Sequence, residues 1–219
     1  MNEPDTAGGF IAKWRARWPE WDVAEAFVAA DKRAVAGAWF ALLQELYDAA
    51  WAGEDPTPGL AKLAWWHEEL EGWSKGARRH PLGEVLQRLP APWTRLARAL
   101  NALPSTRGQS AAEAAPSLSD LAEAVLECEA ALFSIHGTAN GASDAAAVLL
   151  GERVLITGGP TDGAWVIAHW PRLRGASRPR RLHAALLRRR LETLPEDGKA
   201  VPLRGWRVLL ASWRAARVG

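Results

Sequence analysis

A chain of 219 residues with 48% hydrophobic and 24% charged content has the make-up of a globular protein large enough to bury one sizeable core. Its single cysteine, Cys128, excludes an internal disulfide and a cysteine-rich zinc site. The net charge of +2 conceals a division: residues 1–170 carry 14 Lys/Arg and 22 Asp/Glu, net −8, whereas residues 171–219 carry 13 and 3, net +10.

In chain order, Met1 to Gly9 lacks the basic and apolar blocks of a signal peptide. No apolar run approaches the ~20 residues of a membrane span. The expectation is a cytoplasmic protein, with peripheral membrane contact left open. Trp14, Trp18, Pro19 and Trp21 lead into a helix over Val23 to Ala30. From Ala34, the residues Trp39, Leu42, Leu43, Leu46 and Ala50 recur at helical spacing and form one apolar stripe. Gln44, Glu45 and Asp48 fall beside that stripe, where a carboxylate pair can face a cleft. After Asp55-Pro56, Thr57 reads as an N-cap and Pro58 as a first helical residue. Leu63, Trp66, Leu70 and Trp73 then give a second apolar face. Gly76 to His80 is a basic turn, and Pro81 opens a helix through Leu89. Pro90 and Pro92 break it before Trp93 to Leu103 resumes.

Pro104 to Pro116, rich in small and polar residues, reads as an internal loop. Ser117 and Asp120 resemble a capping box, opening a helix through Leu121, Val125, Cys128, Leu132 and Ile135 to Gly137. Asp144 to Thr157 forms a further helix, stopped by Gly158-Gly159-Pro160. Trp165 to Trp170 is ambiguous, and Arg178 to Leu194 and Gly205 to Arg217 complete the chain. Alanine is abundant and isoleucine scarce, which favours helix throughout. The expected fold is all-α: a single domain, residues 1–219, of eight or nine helices.

Most candidate motifs are incomplete. Val154 to Gly159 lacks the third glycine of a dinucleotide turn and the Gly-Lys-Ser/Thr of a phosphate loop, so a glycine-terminated helix is the simpler reading. His67-Glu68-Glu69 has Glu71 where a zinc helix needs its second histidine. Ser134 and His136 lack a nucleophile elbow, and Cys128 sits among apolar positions as an inert thiol. The arginines from Arg172 to Arg190 alternate with Leu182, Leu186, Leu187, Leu191 and Leu194. That pattern is a solvated face or one paired with the acidic remainder, and anion binding is the weaker reading. No nucleic-acid reading motif accompanies it. The thirteen tryptophans fill helix interfaces or line a pocket.

The order of these features resembles the N-terminal half of the squalene/phytoene synthase family. The likeness is carried by Val23 to Ala52, by the string Lys62-Leu63-Ala64-Trp65-Trp66-His67-Glu68-Glu69-Leu70, and by His80-Pro81-Leu82. Beyond Ser117 it is looser: Glu127 to Gly137 and Ala147 to Gly151 follow the expected helices, and Trp206 to Arg217 resembles some bacterial relatives. The resemblance implies an all-α isoprenoid synthase fold around a central cavity. It also implies head-to-head joining of prenyl diphosphates by Mg²⁺ held between two aspartate-rich helices. In this chain the first such motif reads Glu45-Leu46-Tyr47-Asp48-Ala49-Ala50-Trp51, so only Asp48 survives. The second retains Glu152 and Asp162 alone. The expected protein is therefore a non-catalytic relative without a cofactor, binding a prenyl-like chain or a protein partner, and a respiratory complex I assembly factor offers a family-level precedent. Trp39, Tyr47, Trp51 and Trp66 are the candidate cavity residues, and Glu45, Asp48 and Asp162 the vestigial carboxylates, Asp48 being the one metal candidate. The alternative is a Mg²⁺-dependent prenyltransferase using Glu45, Asp48 and either Glu69 or Asp162.

Overall fold

The computed structural model describes residues 6–135, 142–173, 175–195, 198 and 200–217. Among these it is all-α, with thirteen α-helices and no strand. One buried core cluster extends from Trp14 to Val208.

The central element is α3 (Arg33–Trp51), preceded by α1 (Ala7–Arg17) and the short α2 (Trp21–Ala24). Fifteen of the nineteen residues of α3 are buried, so the helix is enclosed rather than striped. It is surrounded by α1, α4 (Thr57–Ser74), α5 (Gly83–Leu86), α7 (Ala102–Ser105) and α10 (Ala142–Thr157). The other helices form a second shell: α6 (Trp93–Ala99) packs on α4, α9 (Ser119–Leu132) on α6 and α10, and α8 (Ala111–Ser117) and α11 (Pro160–Ala168) on α10. The basic end supplies α12 (Arg178–Glu192), laid on α10, and α13 (Gly205–Arg217), laid on α12 and α2.

The α3–α4 hairpin owes its closeness to Gly59. A Cβ there would lie 2.0 Å from the Ala49 carbonyl oxygen, so a side chain would force the helices apart. Leu63, Trp66, Leu70 and Trp73 are all buried, as their spacing requires. Thr57, however, is inside α4; its N–H donates to Asp55 Oδ1 at 2.9 Å, and Pro56 occupies the cap position.

Several expected boundaries move. Helix α1 was hidden by Gly8 and Gly9, yet Thr6 Oγ1 accepts from Gly9 N at 3.1 Å and caps it. Val23 to Ala30 is broken into α2 and a 3-10 turn, Glu25–Phe27. The stretch from Pro81 keeps only α5 as α-helix, and Trp93 to Leu103 divides into α6 and α7. The proposed loop of residues 104–116 contains α8, with the true capping box at Ser110 and Glu113. There Ser110 Oγ accepts from Glu113 N at 3.3 Å, and Glu113 Oε2 from Ser110 N at 2.9 Å. Ser117 and Asp120 make no such box, because Asp120 pairs with Arg95 at 2.6 Å. The following helix ends at Leu132, with Ser134 in the left-handed region at φ 55°, whereas its expected stop, Gly137, lies outside the described residues, as does His136. The ends of α10 at Gly158, and the extents of α12 and α13, follow the sequence closely. Among the described residues no helix is long and apolar enough to cross a membrane.

Candidate functional site

Four helices converge on a small cavity at the centre. Tyr47, Gln44 and Phe40 come from α3, Trp14 from α1 with Trp18 just beyond it, Glu152 from α10, and Arg180 and His183 from α12. Its volume is about 10 Å³, scarcely the room one water needs. The rings account for this. His183 is stacked 4.5 Å from Phe40 and tilted 4.4 Å from Trp18, and Trp14 is stacked 5.4 Å from Phe40.

Polar groups remain inside this aromatic wall. His183 Nδ1 lies 3.4 Å from Glu152 Oε1, and neither ring nitrogen nor the Tyr47 hydroxyl has a hydrogen-bond partner among the described residues. Most buried polar groups in folded proteins are paired, so these orphans set the cavity apart from the rest of the core. Burial pushes the Glu152 carboxyl up to about 7, against the opposing pull of Arg180, Arg17 and Arg190. Burial, reinforced by Arg180 and Arg190, holds His183 well below its usual range. A carboxyl titrating near neutrality thus faces an uncharged imidazole. Glu152 and Trp18 also line an outer cleft of about 380 Å³, flanked by Arg17 and Arg190, so this carboxyl connects the interior with the surface. The arrangement sets one titratable carboxyl against a neutral imidazole.

The surrounding charges are closed into pairs. Arg180 donates to Glu129 through Nε at 2.8 Å and also through Nη2, while Trp39 Nε1 reaches the same carboxylate at 2.8 Å. Arg190 donates to Glu20 at 2.9 and 2.5 Å and covers the Trp18 ring at 4.0 Å. The basic end is therefore joined to the acidic remainder through its interior, whereas Arg188 and Arg189 pair outside with Glu192.

The α3 carboxylates have partners of the same kind. Glu45 accepts from Lys13 at 2.7 Å and Lys62 at 2.5 Å; burial raises its pKa, but these two ammonium groups prevail and leave it lowered. Asp48 accepts from Arg17 at 2.8 Å and Gln44 at 2.9 Å. Both oxygens of each carboxylate face nitrogen donors. As placed they do not fit a Mg²⁺ ion, which demands free oxygens in near-octahedral array. Among the described residues no three His, Cys, Asp or Glu side chains gather as a metal site.

The other candidates are distributed through the bundle. Asp162 receives Arg153 at 2.9 Å and the Ala111 N–H at 2.8 Å, and so caps α8. Trp51 donates to Thr106 at 3.0 Å and stacks on Tyr47, yet only Tyr47 reaches the cavity. Trp66 lies among Trp65, Trp73 and His80. Glu69 accepts from Trp73 Nε1, Arg79 N, Arg79 Nε and His80 N at 2.7–3.0 Å, which fixes the basic turn against α4. Burial lowers His80 to about 4, so it too is uncharged. The Cys128 thiol is buried and pushed up by that burial.

Sequence reasoning overlooked His183, Arg180 and Arg190 as parts of a site. Their signal was the spacing Arg180, His183, Leu187, Arg190, which puts two guanidinium groups and an imidazole on a face that also buries leucine. No family model, curated protein or solved structure matches this chain.

Proposed function

We propose that this protein is a non-catalytic helical scaffold, similar to the squalene/phytoene synthases, that works through its surface and binds a partner. One observation carries the reading: side-chain cations take the places around the α3 carboxylates that a synthase gives to Mg²⁺, and Lys13, Lys62 and Arg17 are those cations. Aromatic rings reduce the cavity beneath α3 to about 10 Å³, whereas a small-molecule pocket takes roughly 300–1,000 Å³. A prenyl chain has no room there, so a partner is preferred over an apolar ligand.

The family likeness is supported by the way its string is used. Lys62 holds Glu45, Trp65 and Trp66 meet His80, and Glu69 binds the backbone of Arg79 and His80. Every polar or aromatic position in that set has a structural task that survives the loss of chemistry. Incubation of purified protein with Mg²⁺ and farnesyl or geranylgeranyl diphosphate is expected to give no joined product.

A second reading, a prenyltransferase with a degenerate site, draws on one fact: Arg17, which holds Asp48, lines the same outer cleft as Glu152, so acidic groups of α3 and α10 are gathered at one place. It requires Arg17 to release Asp48. Product formation abolished by Asp48→Ala would establish that reading and remove the first.

A further inference from the structure

Helix α13 is built the wrong way round for a helix that only packs on its own protein. Val208 and Ser212 are buried against the body with Ala211, and these are small residues. On the opposite side Trp206 is 63% exposed, Leu209 53%, Leu210 38% and Trp213 46%. At about 100° per residue the two sets lie on opposed faces. A helix optimised for folding alone would turn its tryptophans and leucines inward. Nearly all the exposed large apolar side chains among the described residues collect here, with Val201 just upstream, which makes this a patch rather than scatter.

Charge indicates what covers it. Arg204, Arg207, Arg214 and Arg217 accompany the apolar face, and no acidic residue occurs from Leu203 to Arg217. Arg207 lies over the Trp206 ring at 5.4 Å and Arg217 over Trp213 at 4.6 Å, so each exposed ring carries a cation on one face. Beside them a groove of about 370 Å³ runs between α12 and α13, with Leu203, Trp206 and Leu210 in its walls, Arg207 at its side and Glu192 there too, its charge met by Arg189 at 2.7 Å. Tryptophan prefers the headgroup level of a bilayer, and arginine prefers anionic phosphate. The thirteen residues of α13 reach only about 20 Å, too short to span the hydrocarbon core.

We propose that the outward face of α13 docks this protein, lying in the plane of the interface, on an anionic lipid bilayer. The apolar ridge enters the headgroup–acyl boundary and the arginines meet lipid phosphates. This inference is independent of the reading of the interior and stands if residual prenyltransferase activity is found. An acidic protein groove and a second copy of the chain are the competing occupants; an apolar face whose own helix carries arginines and no acidic residue, beside a Glu192 already paired to Arg188 and Arg189, favours the bilayer.

The test is co-sedimentation of the full chain with phosphatidylcholine vesicles, with and without roughly 30% phosphatidylserine, at low and high salt. Binding is expected on the anionic vesicles alone and is expected to fall with salt. Trp206→Ala with Trp213→Ala, and separately Arg207→Glu with Arg214→Glu, should each weaken it at least about tenfold. Circular dichroism on the same samples confirms that these exposed substitutions leave the fold intact. Quenching of tryptophan fluorescence by bromine-labelled acyl chains should disappear with Trp206→Ala and Trp213→Ala. Absence of binding to anionic vesicles overturns the proposal, and so does binding that both pairs of substitutions leave unchanged. A dimer that the tryptophan substitutions convert to monomer, without vesicle binding, assigns the face to a second copy instead.

Discussion

Trp18 near the beginning of the chain and Trp213 near its end are both covered by an arginine, Arg190 at 4.0 Å and Arg217 at 4.6 Å, but the first pair is buried and the second exposed. The inner guanidinium also holds Glu20, so its charge is buried and paired. The outer one has no carboxylate in its own helix. Two similar contacts thus serve different ends. A cation over an aromatic face contributes about 0.5–1 kcal/mol where water screens it and ~2 or more where water is excluded. Inside, the contact fixes how α12 lies against α1; outside, it leaves the ring and the charge available to something else.

The largest expected effect breaks this contrast directly. Arg190→Ala removes one partner of a buried ion pair and leaves Glu20 uncompensated, at a cost of ~3–5 kcal/mol. Arg217→Ala should stay within about 0.5 kcal/mol, as exposed substitutions do. Urea denaturation of both variants measures the difference. Equal losses would show that Arg190 is not shielded as the geometry requires.

The next effect concerns the interior alone and depends on pH. Glu152 is raised from 4.5 to about 7 in the folded protein, so its contribution is complete below 4.5 and is lost as pH rises through about 7. At 1.36 kcal/mol per pH unit this is on the order of 3 kcal/mol. His183 runs the other way: its folded pKa is depressed, so its contribution is present above 6.5 and is lost as pH falls below that value. The two slopes oppose each other between 4.5 and 6.5. Glu152→Gln should abolish the alkaline loss and expose the acid loss, since its amide can still donate to His183 Nδ1. Thermal unfolding between about pH 5 and 8 reads both branches. An unchanged profile would show that Glu152 titrates in the folded protein as it does in the unfolded chain.

The legibility of these features follows the range of the interactions. Helices α3, α4, α10, α12 and α13 announce themselves because apolar spacing is a local property, and Gly158 after α10 reinforces it at φ 76°. Caps were harder. Ser110-Glu113 and Ser117-Asp120 carry the same kind of pattern, and what separates them is Arg95, which takes Asp120 from a different helix. Glu45 and Asp48 were recognisable as a degenerate acidic motif, but not their neutralisation by Lys13 and Arg17, both more than thirty residues away. Tyr47, Glu152 and His183 meet only when three helices pack, so no window of sequence contains the cavity. The tryptophans looked alike at every position because periodicity identifies a face without saying whether protein or solvent lies opposite.

That ambiguity makes the smallest expected stability effect the most discriminating one. Trp206 and Trp213 have the ring area of a core tryptophan, whose truncation to alanine costs ~3–5 kcal/mol when buried. Both rings are largely exposed, Trp206 at the mouth of the groove beside α12, and the helix is held by the buried Val208, Ala211 and Ser212 and by Arg181, whose Nε donates to the Ala215 carbonyl at 3.2 Å. Trp206→Ala with Trp213→Ala should therefore change unfolding stability by less than about 0.5 kcal/mol. Val208→Ala, on the inner face, removes far less surface yet should cost more, roughly 1 kcal/mol or above. If the order were reversed, the large rings would be holding α13 in place, and their exposure would reflect packing of the fold rather than a surface kept open for docking.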